Sequence, residues 1–177
     1  MGSEMCIRDR FSRAQSSPEA IIYRAMLFSE REFQQLLADG SKCIRADIVW
    51  IDDEDHSPAV EFRAEVENEA GYDLFVHGSF NRLARTLTYC LVLRTVGRIY
   101  ALDLGKAHHN PDCQQVGEVH KHYWTERHRD RMAYEPGQIT ASVEQPGELW
   151  RQFCLQARIR HDGHFAKPPP YQAELFE

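Results

Sequence analysis

The sequence predicts an α+β fold: a five-stranded curved antiparallel β-meander packed by an N-terminal and a C-terminal helix. Three observations carry this. From Cys43 to Leu104 apolar residues recur at every second position, the period of strands that bury one face. The links between these stretches are a few residues long, whereas parallel neighbours need crossovers of about a dozen or more. Before and after them stand two stretches whose apolar residues have helical spacing, opening at Ser29 and at Pro146.

At 177 residues, with 42% hydrophobic and 11% aromatic residues, the chain is long enough for one domain with its own core. The expected organisation is a disordered leader over 1–25, a single domain over 26–165 and an extended tail over 166–177. The leader is rich in Ser, Arg and Gln, and its run from Met5 to Arg10 resembles translated adapter sequence; Met26-Leu-Phe-Ser-Glu-Arg-Glu-Phe reads as a natural start. No stretch approaches the roughly 20 apolar residues that span a bilayer, and no signal-peptide pattern opens the chain, so a cytoplasmic protein without a membrane partner is expected. A net charge of -6 argues against broad, sequence-blind nucleic-acid binding and leaves room for a local basic groove. The five cysteines include no Cys-x-x-Cys pair, so neither a disulfide framework nor a zinc ribbon fits and reduced thiols are expected.

Ser29 and Glu32 form a capping box, Phe33, Leu36 and Leu37 make an apolar stripe, and Gly40 is placed to end the helix in a left-handed conformation. The first strand alternates Ile44, Ala46, Ile48 and Trp50 with Arg45, Asp47 and Val49 and runs into the acidic tip Asp52–Asp55, read as a solvated hairpin. Val60, Phe62, Ala64 and Val66 give the second strand; Tyr72, Leu74, Val76 and Phe80 the third. The fourth is expected from Leu83 to Thr95, and the fifth from Ile99 to Leu104 after a tight turn at Thr95–Arg98. In the fifth, Asp103 points away from Tyr100, Leu102 and Leu104. Ile139 to Val143 suits an edge strand, Leu149, Trp150, Phe153, Cys154 and Ala157 form the face of the second helix, and His161–His164 reads as a surface turn.

Packing does not account for the segment between, Lys106 to Pro136, which holds five of the nine histidines. Asn110-Pro-Asp112 is turn chemistry. His120 and His122 lie two apart in a short extended piece, Val119–Tyr123, and so share a face. Two imidazoles facing a turn that carries His109 and Asp112 have the makings of a metal site, and an imidazole pair with carboxylate help can serve as acid and base without one. His108, His128 and Cys113 are supporting candidates. Arg127 and Arg129 can hold phosphate, and Tyr123 can stack on a base. The competing reading is a polar lid whose histidines bond backbone and hold the loop to the sheet.

The runs Met26–Leu37, Leu102-Asp-Leu104, His109-Asn-Pro-Asp112, His120-Lys-His-Tyr123 and Asp130–Pro136 resemble a family of small bacterial and phage proteins of unknown function, marked by His-x-Pro-Asp and His-x-His-Tyr motifs, over about residues 26–160. In that family a glycine often follows Asn-Pro-Asp; here Cys113 stands there, which sets the thiol apart from any family-wide ligand. The resemblance implies a sheet-plus-helices domain from mobile or defence-rich gene neighbourhoods and no settled activity.

Two functions fit. The first is a metal-assisted or histidine-driven phosphodiesterase or nuclease. Its catalytic groups would be His109, His120, His122 and Asp103, with a zinc or manganese ion on His109, His120, His122 and Asp112, and Arg127, Arg129 and Tyr123 binding the substrate. No complete nuclease signature accompanies them, since Asp103-Leu-Gly-Lys106 has the wrong spacing for an acidic-x-Lys core. The second is a non-catalytic binding module, a regulator or inhibitor, that recognises a protein or nucleic acid through the same loop.

Overall fold

The computed structural model describes residues 28–170, so the expected leader and most of the expected tail lie outside the described residues. Ser29 opens helix α1 (Glu30–Ala38) through the predicted capping box: Glu32 N–H donates to Ser29 Oγ at 3.2 Å and Ser29 N–H to Glu32 Oε2 at 2.8 Å. Phe33 and Leu36 bury the inner face. Gly40 does not end the helix in a left-handed turn. The cap is Asp39 in an extended conformation, and the ammonium of the buried Lys42 folds back to donate to the carbonyls of Leu36, Leu37 and Asp39.

The meander is present, though it begins later and extends further than expected. Strands β3 (Ala59–Val66), β4 (Leu74–Asn81), β5 (Thr86–Leu93) and β6 (Gly97–Leu104) pair antiparallel in succession, with the short β2 (Ile51–Asp52) on the outer edge of β3. The expected fourth strand starts at Thr86 rather than Leu83, because the Asn81 side chain accepts from Ala84 N–H and bends the chain into a turn that leaves Leu83 64% exposed. Beyond β6 the sheet continues through β9 (Val119–Tyr123) and β10 (Ala133–Tyr134), making seven strands in the order β10-β9-β6-β5-β4-β3-β2. Part of the histidine segment is thus sheet, and the strand count of five is corrected to seven. A separate two-stranded hairpin, β7 (His108–His109) with β8 (Gln115–Val116), precedes β9.

The first expected strand meets the meander only through an isolated antiparallel bridge from Cys43 to Glu67, just past β3. Its first residues, β1 (Cys43–Ile44), pair in parallel with β11 (Arg160–His161) after the second helix, and the same alignment continues through Ile48 N–H to the His164 carbonyl and Ala166 N–H to the Ile48 carbonyl. Ile44, Ile48 and Trp50 are buried as the alternation predicts, while Ala46 is exposed. His161–His164 therefore belongs to a paired segment and not to a free surface turn. The expected edge strand at 139–143 is also absent. Thr140 and Ala141 N–H donate to the Gln152 side-chain oxygen instead of to a strand partner.

Helix α2 (Pro146–Ala157), with proline in its first turn, lays Leu149, Trp150, Phe153, Cys154 and Ala157 on one face of the sheet, where Phe62, Tyr89, Tyr100 and Leu102 complete the core. The opposite face of the sheet carries Glu61, His77, Ser79, Thr88 and Asp103, which cross-strand pairing lines up in neighbouring rows. Among the described residues no helix is long and apolar enough to cross a membrane.

Candidate metal centre

The site forms on the sheet face away from α2. His120 and His122 project from β9 onto that face as the period of two requires, and each is almost wholly buried. Asp103 of β6 is the register partner of His120 and shares the face. The third imidazole comes from β7, and it is His108, not His109. Successive residues of a strand point to opposite sides, so with His108 turned inward His109 is exposed. Ring centroids lie 5.4 Å apart for His108 and His120, 4.8 Å for His108 and His122, and 5.1 Å for His120 and His122. One ring nitrogen from each falls within 4.8 Å of the other two.

Every imidazole is held from behind by a backbone carbonyl. His120 Nδ1 stands 2.9 Å from the Gly117 oxygen, His122 Nδ1 2.9 Å from the Asp130 oxygen and His108 Nε2 3.0 Å from the Arg131 oxygen. A carbonyl can only accept, so these nitrogens donate, which is the arrangement that leaves the other nitrogen of a neutral ring free to bind a metal. The other nitrogens of the β9 pair face a carboxylate: Asp103 Oδ2 is 3.2 Å from His122 Nε2 and 3.8 Å from His120 Nε2. A proton on His122 Nε2 or a bound cation satisfies this contact. Burial pushes the His120 imidazole below the usual histidine range, against the pull of the Gly117 carbonyl and Asp103 and with the help of His122 and His108.

Asp103 belongs to a closed ring of contacts. Arg98, also on β6, reaches Asp103 Oδ2 at 3.3 Å and Asp130 Oδ2 at 2.9 Å, and the Asp130 carbonyl is the one that fixes His122. Burial opposes ionisation of Asp103, yet the His122 imidazole, the Thr88 hydroxyl and the Arg98 guanidinium outweigh it and hold the carboxyl below the usual range. Its other oxygen, Oδ1, is buried without a hydrogen-bond partner. From this centre a groove of about 690 Å³ runs over the sheet, lined by Asp103, His108 and His120 at one end and by Glu61, His77 and Asp53 at the other.

Several residues expected at the site stand elsewhere. Asp112 is exposed and its carboxylate accepts from Gln114 N–H, which closes the turn. Cys113 is exposed with φ 69°, the left-handed region that favours glycine. Tyr123, one residue beyond His122, points to the opposite side and packs with Tyr100 at 5.3 Å and Phe33 at 6.1 Å. Arg127 and Arg129 are exposed and do not line the groove; the Arg129 guanidinium lies over the Trp124 ring at 5.4 Å. His128 is outside the triad. Asp103, His120 and His122 are brought together as expected. The carbonyls of Gly117, Asp130 and Arg131 carried no sequence signal, since a backbone oxygen is the same whatever residue bears it.

An α+β domain with three clustered histidines, two of them buried, and a carboxylate is what the fold and the site define. The chain belongs to the family of unknown function DUF6978, whose model matches residues 28–159. Neither a curated protein nor a solved structure matches it.

Proposed function

We propose that this protein is a metal-dependent hydrolase whose single divalent ion, zinc by the chemistry of its ligands, sits on His108, His120 and His122. The observation that carries the reading is the arrangement of the three rings: each is tied to a carbonyl through one nitrogen, and one ring nitrogen from each lies within 4.8 Å of the other two. Imidazole nitrogen suits zinc, whereas manganese favours carboxylate and water oxygens. Three protein ligands leave a position for water, and zinc brings such a water to a pKa of about 7. The groove beside Asp103 and His120 gives a substrate access to that position.

The groove also narrows the substrate. Asp53, Asp55, Glu61 and Asp103 line it against one cation, Lys106, and no arginine. A nucleic-acid backbone needs cations to replace its counterions, so a small neutral ester fits this lining better than a nucleic acid.

Metal analysis of purified and zinc-reconstituted protein tests the reading. One equivalent of zinc is expected, lost in His108→Ala and His122→Ala and kept in His109→Ala. Zinc at about a hundred times its Kd stabilises a folded state by about 2.7 kcal/mol, which for a chain of this size raises the Tm by about 5–11 °C. Zinc-loaded protein is expected to hydrolyse 4-nitrophenyl acetate or bis(4-nitrophenyl) phosphate, and chelated protein to lose that activity. A metal-free protein whose melting ignores zinc would sink the proposal; a zinc-loaded one that cleaves neither probe would leave a structural metal in a binding module.

A further inference from the structure

We infer that Asp103 is not a fourth metal ligand but the acceptor that orients the metal-bound water, and that Arg98 is the positioning residue that keeps it off the metal. The inference rests on the metal-centre reading above and concerns the side chains around it.

The carboxylate has two oxygens in different circumstances. Oδ2 is engaged by Arg98 Nη1 at 3.3 Å and lies beside His122 Nε2 at 3.2 Å. Oδ1 is buried with no hydrogen bond of ordinary geometry, the Thr88 hydroxyl being the neighbouring donor that helps keep the carboxyl ionised. An ionised oxygen withdrawn from water without a well-placed donor is costly, and a water held on the triad brings an O–H to the side of the site where Asp103 stands. Asp103 also lines the groove together with His108 and His120, whereas His122 and Arg98 do not. It therefore stands between the histidines and the space a substrate enters, where a water-orienting group belongs.

Arg98 supplies the restraint. Its Nε donates to Asp130 Oδ2 at 2.9 Å while its Nη1 serves Asp103, so the guanidinium bridges two carboxylates that lie on β6 and on the loop before β10. With Oδ2 3.2 Å from His122 Nε2 and 3.8 Å from His120 Nε2, a small shift separates Asp103 from the coordination sphere, and that shift pulls on the bridge to Arg98 and through it on Asp130, whose carbonyl holds His122. A guanidinium that serves two carboxylates at once resists that displacement better than a lysine point charge.

Zinc and cobalt titrations of the full chain, with the visible absorption of the cobalt form, test the assignment. Asp103→Asn is expected to hold zinc within about threefold of wild type, well inside the 10- to 100-fold loss seen for a displaced outer-shell partner. Its cobalt spectrum should keep the four-coordinate shape, and turnover of whichever nitrophenyl probe the wild type cleaves should fall about a hundredfold. Arg98→Ala is expected to bind zinc more tightly and to shift the cobalt spectrum toward higher coordination as the freed carboxylate ligates; Arg98→Lys falls between. A hundredfold loss of zinc in Asp103→Asn, with a changed cobalt spectrum, would make Asp103 a ligand and overturn the inference. An Arg98→Ala cobalt spectrum identical to wild type would overturn the role of Arg98. Wild-type protein that takes up neither metal would refute the underlying metal reading instead, and the metal content of the wild type separates the two failures.

Discussion

Replacing Gly78 with alanine probes how the sheet carries the groove and the core on opposite faces of one strand. Gly78 is the register partner of Phe62 on the core face, flanked along β4 by His77 and Ser79 on the groove face. A Cβ added there would lie 2.8 Å from Phe62 Cδ1 and closer still to Cε1 and Cζ, well inside ordinary contact. The ring has little room to yield. Its centroid is 4.8 Å from that of Trp50, 5.5 Å from Trp150 and 5.9 Å from both Tyr89 and Phe165. Overpacking a dense core costs about 1–3 kcal/mol, and with four aromatic rings behind Phe62 the expected loss is about 3 kcal/mol. Urea unfolding of Gly78→Ala, Phe62→Leu and the double variant measures it. Trimming the ring opens the space the new methyl needs, so the double variant is expected to be more stable than the sum of the single effects by about 1–2 kcal/mol. Gly78→Ala within about 0.5 kcal/mol of wild type, or strict additivity of the pair, would refute the clash.

Two further outcomes follow from the backbone and from burial. Cys113→Gly removes a side chain from a left-handed residue, a strain of about 1–2 kcal/mol, against about 0.5–1 kcal/mol of added chain entropy when unfolded; a thermal melt should show a net gain of about 0.5 kcal/mol, and a fall in zinc affinity would instead make Cys113 a ligand. Burial lowers the Lys42 ammonium from its usual 10.5 to about 8, against the pull of Asp39 and with repulsion from Arg158. Between pH 8 and 10.5 the unfolded chain holds a proton that the folded chain has released, so stability from this group rises with pH across that window. Urea midpoints at pH 7.5 and 9.5 should diverge for wild type relative to Lys42→Met; parallel shifts in the two proteins would show that the three carbonyl partners keep Lys42 charged.

Much of the fold was legible because it is local. The capping box at Ser29 and Glu32 needs only a spacing of three, and the alternation through β3 to β6 announces which side chains bury without naming their partners. The same rule placed His120 and His122 on one face and set Asp103 opposite the apolar side of β6. The errors lie where a neighbour distant in the chain decides. His108 and His109 are equivalent in sequence, and only the pairing of β7 with Gln115 and Val116 over the sheet turns one inward. Asp112 looked closer to the histidines than Asp103 did because sequence distance hides the register between β6 and β9.

By itself the sequence determined the alternating strands, the two helices and the segment in which chemistry collects, since period and turn residues act over a few positions. The tertiary structure decided that residues 43–48 run parallel to 160–166, that β9 and β10 extend the sheet, and that His108, Asp103 and Arg98 meet His120 and His122. The reason is physical: a strand's faces are set by its own dihedrals, whereas its neighbours are set by which of many distant edges best satisfies its backbone groups and buries its apolar side.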